Sequence, residues 1–302
     1  MKNRIITILL LFCCLLVTTP ISAKKWRAKH TVLIALDGWG AYSVSKGNIP
    51  HIKNLMEQGS YTLHKRCVFP SASAINWASM FMGVGTELHG YTKWGSKTPE
   101  IPSRVVNEHN ISPTIFSIMR EQYPNAEIGV LHEWEGIKYL VDTLALSHRG
   151  QAPSYDDYPE ALCEMAETYI KDKKPALVAV CFDQLDHVGH KSGHDTQEYY
   201  NCLHTLDGYI GRIIQAIKDA GIWDDTIIML TADHGGINKG HGGITLEEVE
   251  IPFIIAGKNI KQSGEFQESM MQFDTAATIA YVFRLEQPQV WTGRPMKQVF
   301  KK

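Results

Sequence analysis

The chain lacks a charge surplus. Its 30 basic residues stand against 32 acidic ones, and a net charge of −2 excludes the electrostatic footprint of a nucleic-acid-binding protein. Cysteine is scarce, six residues with no C-x-x-C spacing, which excludes a zinc knot. No internal repeat or low-complexity tract is present, so the 302 residues read as one large domain or a domain with inserted cap loops. Long apolar runs are also absent: the longest, residues 5–17, falls short of the roughly 18 to 20 residues that a membrane span requires. Lys2 and Arg4 precede that run and TTPISA follows it, closing on small residues before Lys24. This is the order of a signal peptide over residues 1–23, and it implies a secreted or periplasmic protein with no span after cleavage. Cys13 and Cys14 lie inside the apolar run without the small preceding residue of a lipoprotein site. The other cysteines, Cys67, Cys163, Cys181 and Cys202, suit either disulfides in an oxidising compartment or buried thiols.

What is present is an alternation of apolar strands and amphipathic helices. Residues 31–36 (TVLIAL), 175–182 (PALVAVCF) and 226–232 (TIIMLTA) are uninterrupted apolar runs, as central parallel strands covered on both faces require. Helical spacing fills residues 48–58, 74–82, 158–171 and 196–220. The predicted fold class is therefore α/β: a mostly parallel central sheet with helices on both faces, occupying residues 24–302. Residues 90–104 and 132–158 are too irregular for either period and are expected as cap-like loops over a site.

The chemistry gathers where strands end. The first strand runs into Asp37, the second into Asp186 and His190, and the third into Asp233 and His234, with His241 after a glycine-rich loop. Carboxylates and imidazoles at a sheet's carboxyl edge suit zinc or a similar divalent ion, and six candidates exceed one tetrahedral site. Two ions fit better, one to activate a nucleophile and one to hold a leaving oxygen. Ser71 and Ser73 fall at a helix start, where a serine usually caps the helix but where a hydroxyl is also well placed to meet a phosphate. His187 and His194 lie near the second cluster as decoys.

Taken in order, Asp37-Gly38, Pro70-Ser71-Ala72-Ser73, Asp186-His187-Val188-Gly189-His190, Asp233-His234-Gly235 and His241-Gly242 resemble the metal-dependent alkaline phosphatase superfamily, and within it the type I phosphodiesterase/nucleotide pyrophosphatase family. The resemblance implies one zinc on Asp186, His190 and His241 and a second on Asp37, Asp233 and His234. It implies Ser73 as nucleophile, through a phosphoseryl intermediate, with Ser71 as fallback, and it matches Asn76 to the asparagine of the nucleophile element. Where those phosphodiesterases carry a further phosphate-binding asparagine, this chain has Lys93-Trp94. Lys93, Trp94 and Lys97 are accordingly expected to contact substrate, Lys93 and Lys97 as a clamp suited to a monoester, while Trp94 and Trp134 could stack on a base or sugar. The expected partner is a small phosphate ester. Alternative readings are a phosphomonoesterase, a sulfatase, disfavoured because no Cys/Ser-x-Pro-x-Arg element is seen, and an inactive metal- or glycan-binding protein.

Overall fold

Alternate residues of the first strand face opposite apolar layers. Val32, Ile34 and Leu36 join one buried cluster, whereas Leu33 and Ala35 join the other, so neither face of this strand meets water. The computed structural model describes residues 25–302. The segment expected to be a signal peptide, with Cys13 and Cys14, lies outside the described residues.

In chain order the strands are β1 (His30–Leu36), β2 (Ser60–Arg66), β3 (Ile128–His132), β4 (His148–Gln151), β5 (Leu177–Phe182), β6 (Thr226–Ala232), β7 (Glu250–Gly257) and β8 (Gly264–Glu265). They form one sheet in the order β4-β3-β5-β1-β6-β7-β2-β8. β1 pairs in parallel with both β5 and β6, and β7 is antiparallel to both β6 and β2. β7 thus reverses direction between two strands that run the same way. The carboxyl ends of β5, β1, β6 and β2 therefore open on one edge. Helices Pro50–Gln58, Ala161–Lys173 and Gln197–Asp219 cover one face, and Ser73–Met82, Ile115–Gln122 and Asp274–Phe283 cover the other. Each fully buried Leu, Ile or Phe of these layers contributes about 1.5–3 kcal/mol, which ties the strand ends to a rigid support.

The fold class and the long elements stand as the periodicity predicts. The difference lies in residues 132–158. They hold short 3₁₀ turns at Glu135–Tyr139 and Thr143–Ala145 and the edge strand β4, paired in parallel with β3. β4 is HRGQ, four residues with only Gly150 buried, so an apolar period cannot reveal it. Cys67, Cys163, Cys181 and Cys202 are all free. Among the described residues no helix is long and apolar enough to cross a membrane.

Candidate active site

Hydrogen bonding in the strands stops at the carboxyl edge, and the first side chains beyond it are the polar ones. Asp37 follows β1, Asp233 and His234 follow β6, and Asp186 and His190 sit one turn apart on the helix Gln184–Ser192 that follows β5. Gly38, at φ +71°, is the residue that lets the chain turn away from β1 while Asp186 moves in, since a Cβ there would lie 2.7 Å from Asp186 Oδ1.

Apart from Asp186, each of these side chains is held by one atom and presents another. Trp77 Nε1 donates to Asp37 Oδ2 at 3.0 Å, which leaves Oδ1 facing His234 Nε2 at 3.3 Å. The backbone N–H groups of Gly38 and His234 donate to Asp233 Oδ1, at 3.1 and 2.8 Å, and Asp233 Oδ2 stays buried without a partner. His234, His190 and His241 point Nδ1 at the carbonyls of Gly235, Lys239 and Ser71, at 2.7, 3.0 and 3.0 Å. A carbonyl only accepts, so Nδ1 carries the proton and each Nε2 faces inward, the arrangement expected of metal-ligating imidazoles. The inward atoms crowd: His190 Nε2 is 3.1 Å from both His241 Nε2 and Asp186 Oδ2.

Charge makes the crowding costly. Burial, then the neighbouring Asp233 and Asp186, pushes Asp37 well above the usual carboxylate range, and burial with Asp186 pushes Asp233 up to about 7. Burial also pushes Asp186 up, but the neighbouring imidazoles of His190 and His194 outweigh it and hold this carboxyl low. The bond to Asp186 raises His190 to about 9, while burial lowers His241 to about 4 and lowers His234. Basic groups within ion-pair range of the three carboxylates are all histidines. Buried anions without a matching cation cost several kcal/mol each, so this donor set fits divalent ions. Two overlapping groups have the required proximity, Asp186 with His190 and His241, and Asp37 with Asp186 and His234. The resemblance implied Asp233 in the second group. The structure puts Asp186 there and keeps Asp233 Oδ2 adjacent, 3.3 Å from His234 Nε2.

Ser73 is the first residue of the helix Ser73–Met82, and its hydroxyl does not cap that helix. It lies 3.1 Å from His234 Nε2 and 3.5 Å from Asp37 Oδ1, inside the cluster. Ser71 is occupied elsewhere: its hydroxyl donates to Gly243 O at 2.9 Å and accepts from Gly242 N–H at 3.1 Å, which fastens the loop that carries His241. Asn76, fully buried, gives all its polar capacity to the turn before the helix. Its Nδ2 donates to the carbonyls of Val68, Pro70 and Ala72, each at 3.1 Å, and its Oδ1 accepts from Val68 N–H at 2.7 Å. It is placed to shape the turn and not to touch a reacting atom.

A cavity of about 150 Å³ opens on Ser73, lined by Trp94, Trp134, Asp183, Asp186, His187 and His190. Trp94 is held there through its carbonyl, which accepts from Ala74 N–H at 3.1 Å and so takes up one of the helix-start donors expected to face phosphate. The Trp94 and Trp134 rings lie 6.2 Å apart at 32°. Of the expected substrate contacts, Trp94 lines the cavity but Lys93 and Lys97 do not, and Lys97 Nζ sits 5.4 Å from the centre of the Tyr139 ring. Sequence order could not foresee this, because the direction of a loop side chain depends on contacts made far along the chain. His187, set aside as a decoy, is a lining residue, and so is Asp183. The acid-after-strand pattern that singled out Asp37 also marks Asp183, directly after β5.

Comparison with known proteins defines the class. The profile of the type I phosphodiesterase/nucleotide pyrophosphatase family matches residues 31–249, and the chain belongs to that family. Mouse bis(5'-adenosyl)-triphosphatase enpp4 is 23% identical over 244 residues, covering 78% of this chain and 53% of the relative. Human ectonucleotide pyrophosphatase/phosphodiesterase family member 1 is 22% identical over 240 residues, covering 74% of this chain and 25% of the relative. The chain spans about half the length, or less, of the curated relatives it matches. Among solved structures, human ectonucleotide pyrophosphatase/phosphodiesterase 5 superposes with a TM-score of 0.72 at 14% identity, covering 90% of this chain and 100% of that one. A putative sulfatase from Bacteroides thetaiotaomicron gives 0.71 at 15% identity, covering 89% and 74%. These likenesses show an alkaline-phosphatase-like fold.

Proposed function

We propose that the chain is an exported phosphoric diester and pyrophosphate hydrolase that holds two divalent ions, zinc favoured, and uses Ser73 as nucleophile. The observation that carries this reading is the one-sided anchoring around Ser73: oxygens of Asp37 and Asp233 and the Nε2 atoms of His190, His234 and His241 all face inward while their other polar atoms are fixed. Asp186, His190 and His241 would hold one ion and Asp37, Asp233 and His234 the other, Asp186 being common to the two candidate groups. Bound ions supply Lewis acidity toward phosphoryl oxygens and lower the pKa of a nearby hydroxyl.

The chain's own groups do the rest. Ser73 Oγ attacks phosphorus in line, the Oγ–P bond forms as the bond to the leaving oxygen breaks, and the leaving group departs with the proton that Ser73 gives up; water then cleaves the seryl phosphodiester, releasing the phosphomonoester and restoring the hydroxyl. Ser71 and Asn76 hold the turn and the His241 loop in register. Trp94 and Trp134 offer a flat apolar wall to the group that is not transferred. Nucleotides are the proposed substrate class, since the mouse relative is a bis(5'-adenosyl)-triphosphatase and the murine ectonucleotide pyrophosphatase/phosphodiesterase 5 neighbour was solved with AMP. The monoester reading rested on a lysine clamp, and neither Lys93 nor Lys97 lines the cavity. Export rests on the pattern of residues 1–23 and is checked by amino-terminal sequencing of protein recovered from the periplasm or medium.

The deciding experiment compares bis- and mono-(p-nitrophenyl) phosphate, with p-nitrophenyl sulfate as control, using zinc-loaded protein and Ser73→Ala. A diester preference that Ser73→Ala reduces by about a thousandfold or more, at unchanged zinc content, is expected. Retained turnover in Ser73→Ala would falsify the nucleophile. Preferred cleavage of the sulfate ester would overturn the reaction class.

A further inference from the structure

Five of the six inward-facing side chains have a well-formed anchor, and Asp186 is the exception. Its Oδ2 meets His190 at 3.1 Å and His241 at 3.8 Å, while its Oδ1 is buried with no hydrogen bond. His194 Nε2 lies 3.5 Å from that oxygen, long for a hydrogen bond, and this nitrogen is likewise buried without a partner. Two unsatisfied buried polar atoms that face each other are costly unless they pair when the site is complete.

The surroundings are shaped for this ring. His194 has no exposed side-chain surface. Glycine stands at both positions against it, and a Cβ on Gly189 or on Gly236 would come within 2.3 Å of His194 Nε2. Gly189 is the glycine of the D-x-x-G-H element and Gly236 follows the D-H-G element, so both motifs make room for one imidazole. Its other side is fixed too: the His194 backbone N–H donates to Asn238 O at 2.6 Å, and Nδ1 lies 3.2 Å from the same oxygen. His190 holds the adjacent carbonyl, Lys239 O. The loop leading to His241 is therefore gripped at consecutive residues by two histidines that also converge on Asp186.

We infer that His194 is the positioning residue for Asp186, with both ring nitrogens acting as donors, Nδ1–H to Asn238 O and Nε2–H directed at Oδ1, so that Oδ2 is turned toward His190 and His241. It touches neither substrate nor reacting atoms. Its effect is exerted through the aim of the carboxylate that the two candidate metal groups share. This rests on the two-metal reading above.

The test uses the whole chain. Zinc affinity is measured by competition with a chromogenic chelator, and cobalt(II) absorption reports the ligand field. Glutamine places its Nε2 close to the imidazole Nε2, whereas asparagine reaches only the position of Nδ1. His194→Asn is expected to lose about 10- to 100-fold in zinc affinity, with a shifted cobalt spectrum and a lower kcat at similar KM, and His194→Gln to recover most of the loss. Gly236→Ala keeps the histidine but displaces its ring, and is expected to weaken zinc to a similar degree, which keeps the inference open to refutation should His194→Asn fail to fold. Wild-type affinity in His194→Asn and Gly236→Ala, or equal losses in the asparagine and glutamine variants, would overturn it. Wild-type protein that binds no zinc would overturn the two-metal reading and this inference together.

Discussion

At the floor of the site, where β1, β5 and β6 end, side chains of Asp, His and Ser converge from three strand ends and two loops with their directions fixed by buried partners. At the rim, residues 90–104 and 132–158 meet each other through a few long-range contacts, Tyr91 Oη on the carbonyl of Tyr139 and Trp94 beside Trp134, and Trp94 O ties the first segment to Ala74 N–H of the Ser73–Met82 helix. Trp94 at the rim is 59% exposed, although Ile137, Leu140 and Val141 anchor the second segment in the core. The floor's geometry is thus a property of the sheet, and the rim's is a property of two loops leaning on one another. A floor of this kind is suited to one chemistry, and a rim of this kind to selecting among substrates.

The largest effect should come from the floor. Asp186→Asn removes the charge common to the two candidate metal groups while keeping the shape. Zinc affinity is expected to fall by at least about 10- to 100-fold and diester turnover by about a thousandfold, measured by chelator competition and by kcat on zinc-supplemented protein. A variant that kept full zinc content and activity would mean that the floor is not a metal centre, and the comparison would fail at its first term.

Asn76 tests how far the floor's rigidity extends beneath it. Asn76→Ala leaves Val68 N–H without its partner and removes a donor from three carbonyls. The carbonyls of Pro70 and Ala72 keep backbone donors, so the N–H and carbonyl of Val68 are the two groups left unsatisfied; at about 1–3 kcal/mol each, stability should drop by about 2–6 kcal/mol and the melting temperature by several degrees. kcat should fall by about tenfold to a hundredfold with KM little changed, because the Ser73 turn loosens while the substrate wall is untouched. A loss confined to KM would move Asn76 from the scaffold to the substrate.

The floor was legible before any coordinates because an apolar run that ends in an acid fixes both the place and the direction of that acid. Three such runs in parallel strands necessarily put Asp37, Asp233 and the Asp186 helix on one edge. His194 was not legible: nothing in its spacing distinguishes a buried partner of Asp186 from a surface histidine, and the signal lies in Gly189 and Gly236, whose lack of a side chain has meaning only once the ring is seen against them. The rim failed for a different reason. Lys93, Trp94 and Lys97 lie within five residues of one another, and which of them turns inward depends on contacts made elsewhere in the chain, among them the bond from Ala74 N–H to Trp94 O and the seat of Lys97 over Tyr139.

If the rim selects, its tryptophans should alter preference and not chemistry. Trp94→Ala and Trp134→Ala are each expected to raise KM for a nucleotide diester by about tenfold, in keeping with about 1–3 kcal/mol for an aromatic–base stack, and to leave kcat within about threefold. The same variants should change KM for a small alkyl diester much less. A uniform fall in kcat across substrates would show that Trp94, through its carbonyl on the Ser73 helix, acts on the floor, and the division between the two regions would have to be redrawn.

The smallest effect is expected from Lys93 and Lys97, and it is the most sensitive probe of whether the rim moves. Lys97 Nζ rests over the Tyr139 ring, a contact worth about 0.5–1 kcal/mol at an exposed site, so removing it costs little stability. Both lysines are exposed, where their charge is screened over about 8–10 Å at ordinary salt. Lys93→Ala/Lys97→Ala should therefore change kcat/KM for the bis-ester by less than about twofold, and for the mono-ester by little more, at 0.15 M salt. A selective loss of about tenfold on the mono-ester would mean that residues 90–104 swing a lysine over the phosphate when substrate binds, since the cavity as it stands has none in its lining. The rim would then supply charge as well as surface, and the monoester reading would regain the clamp it now lacks.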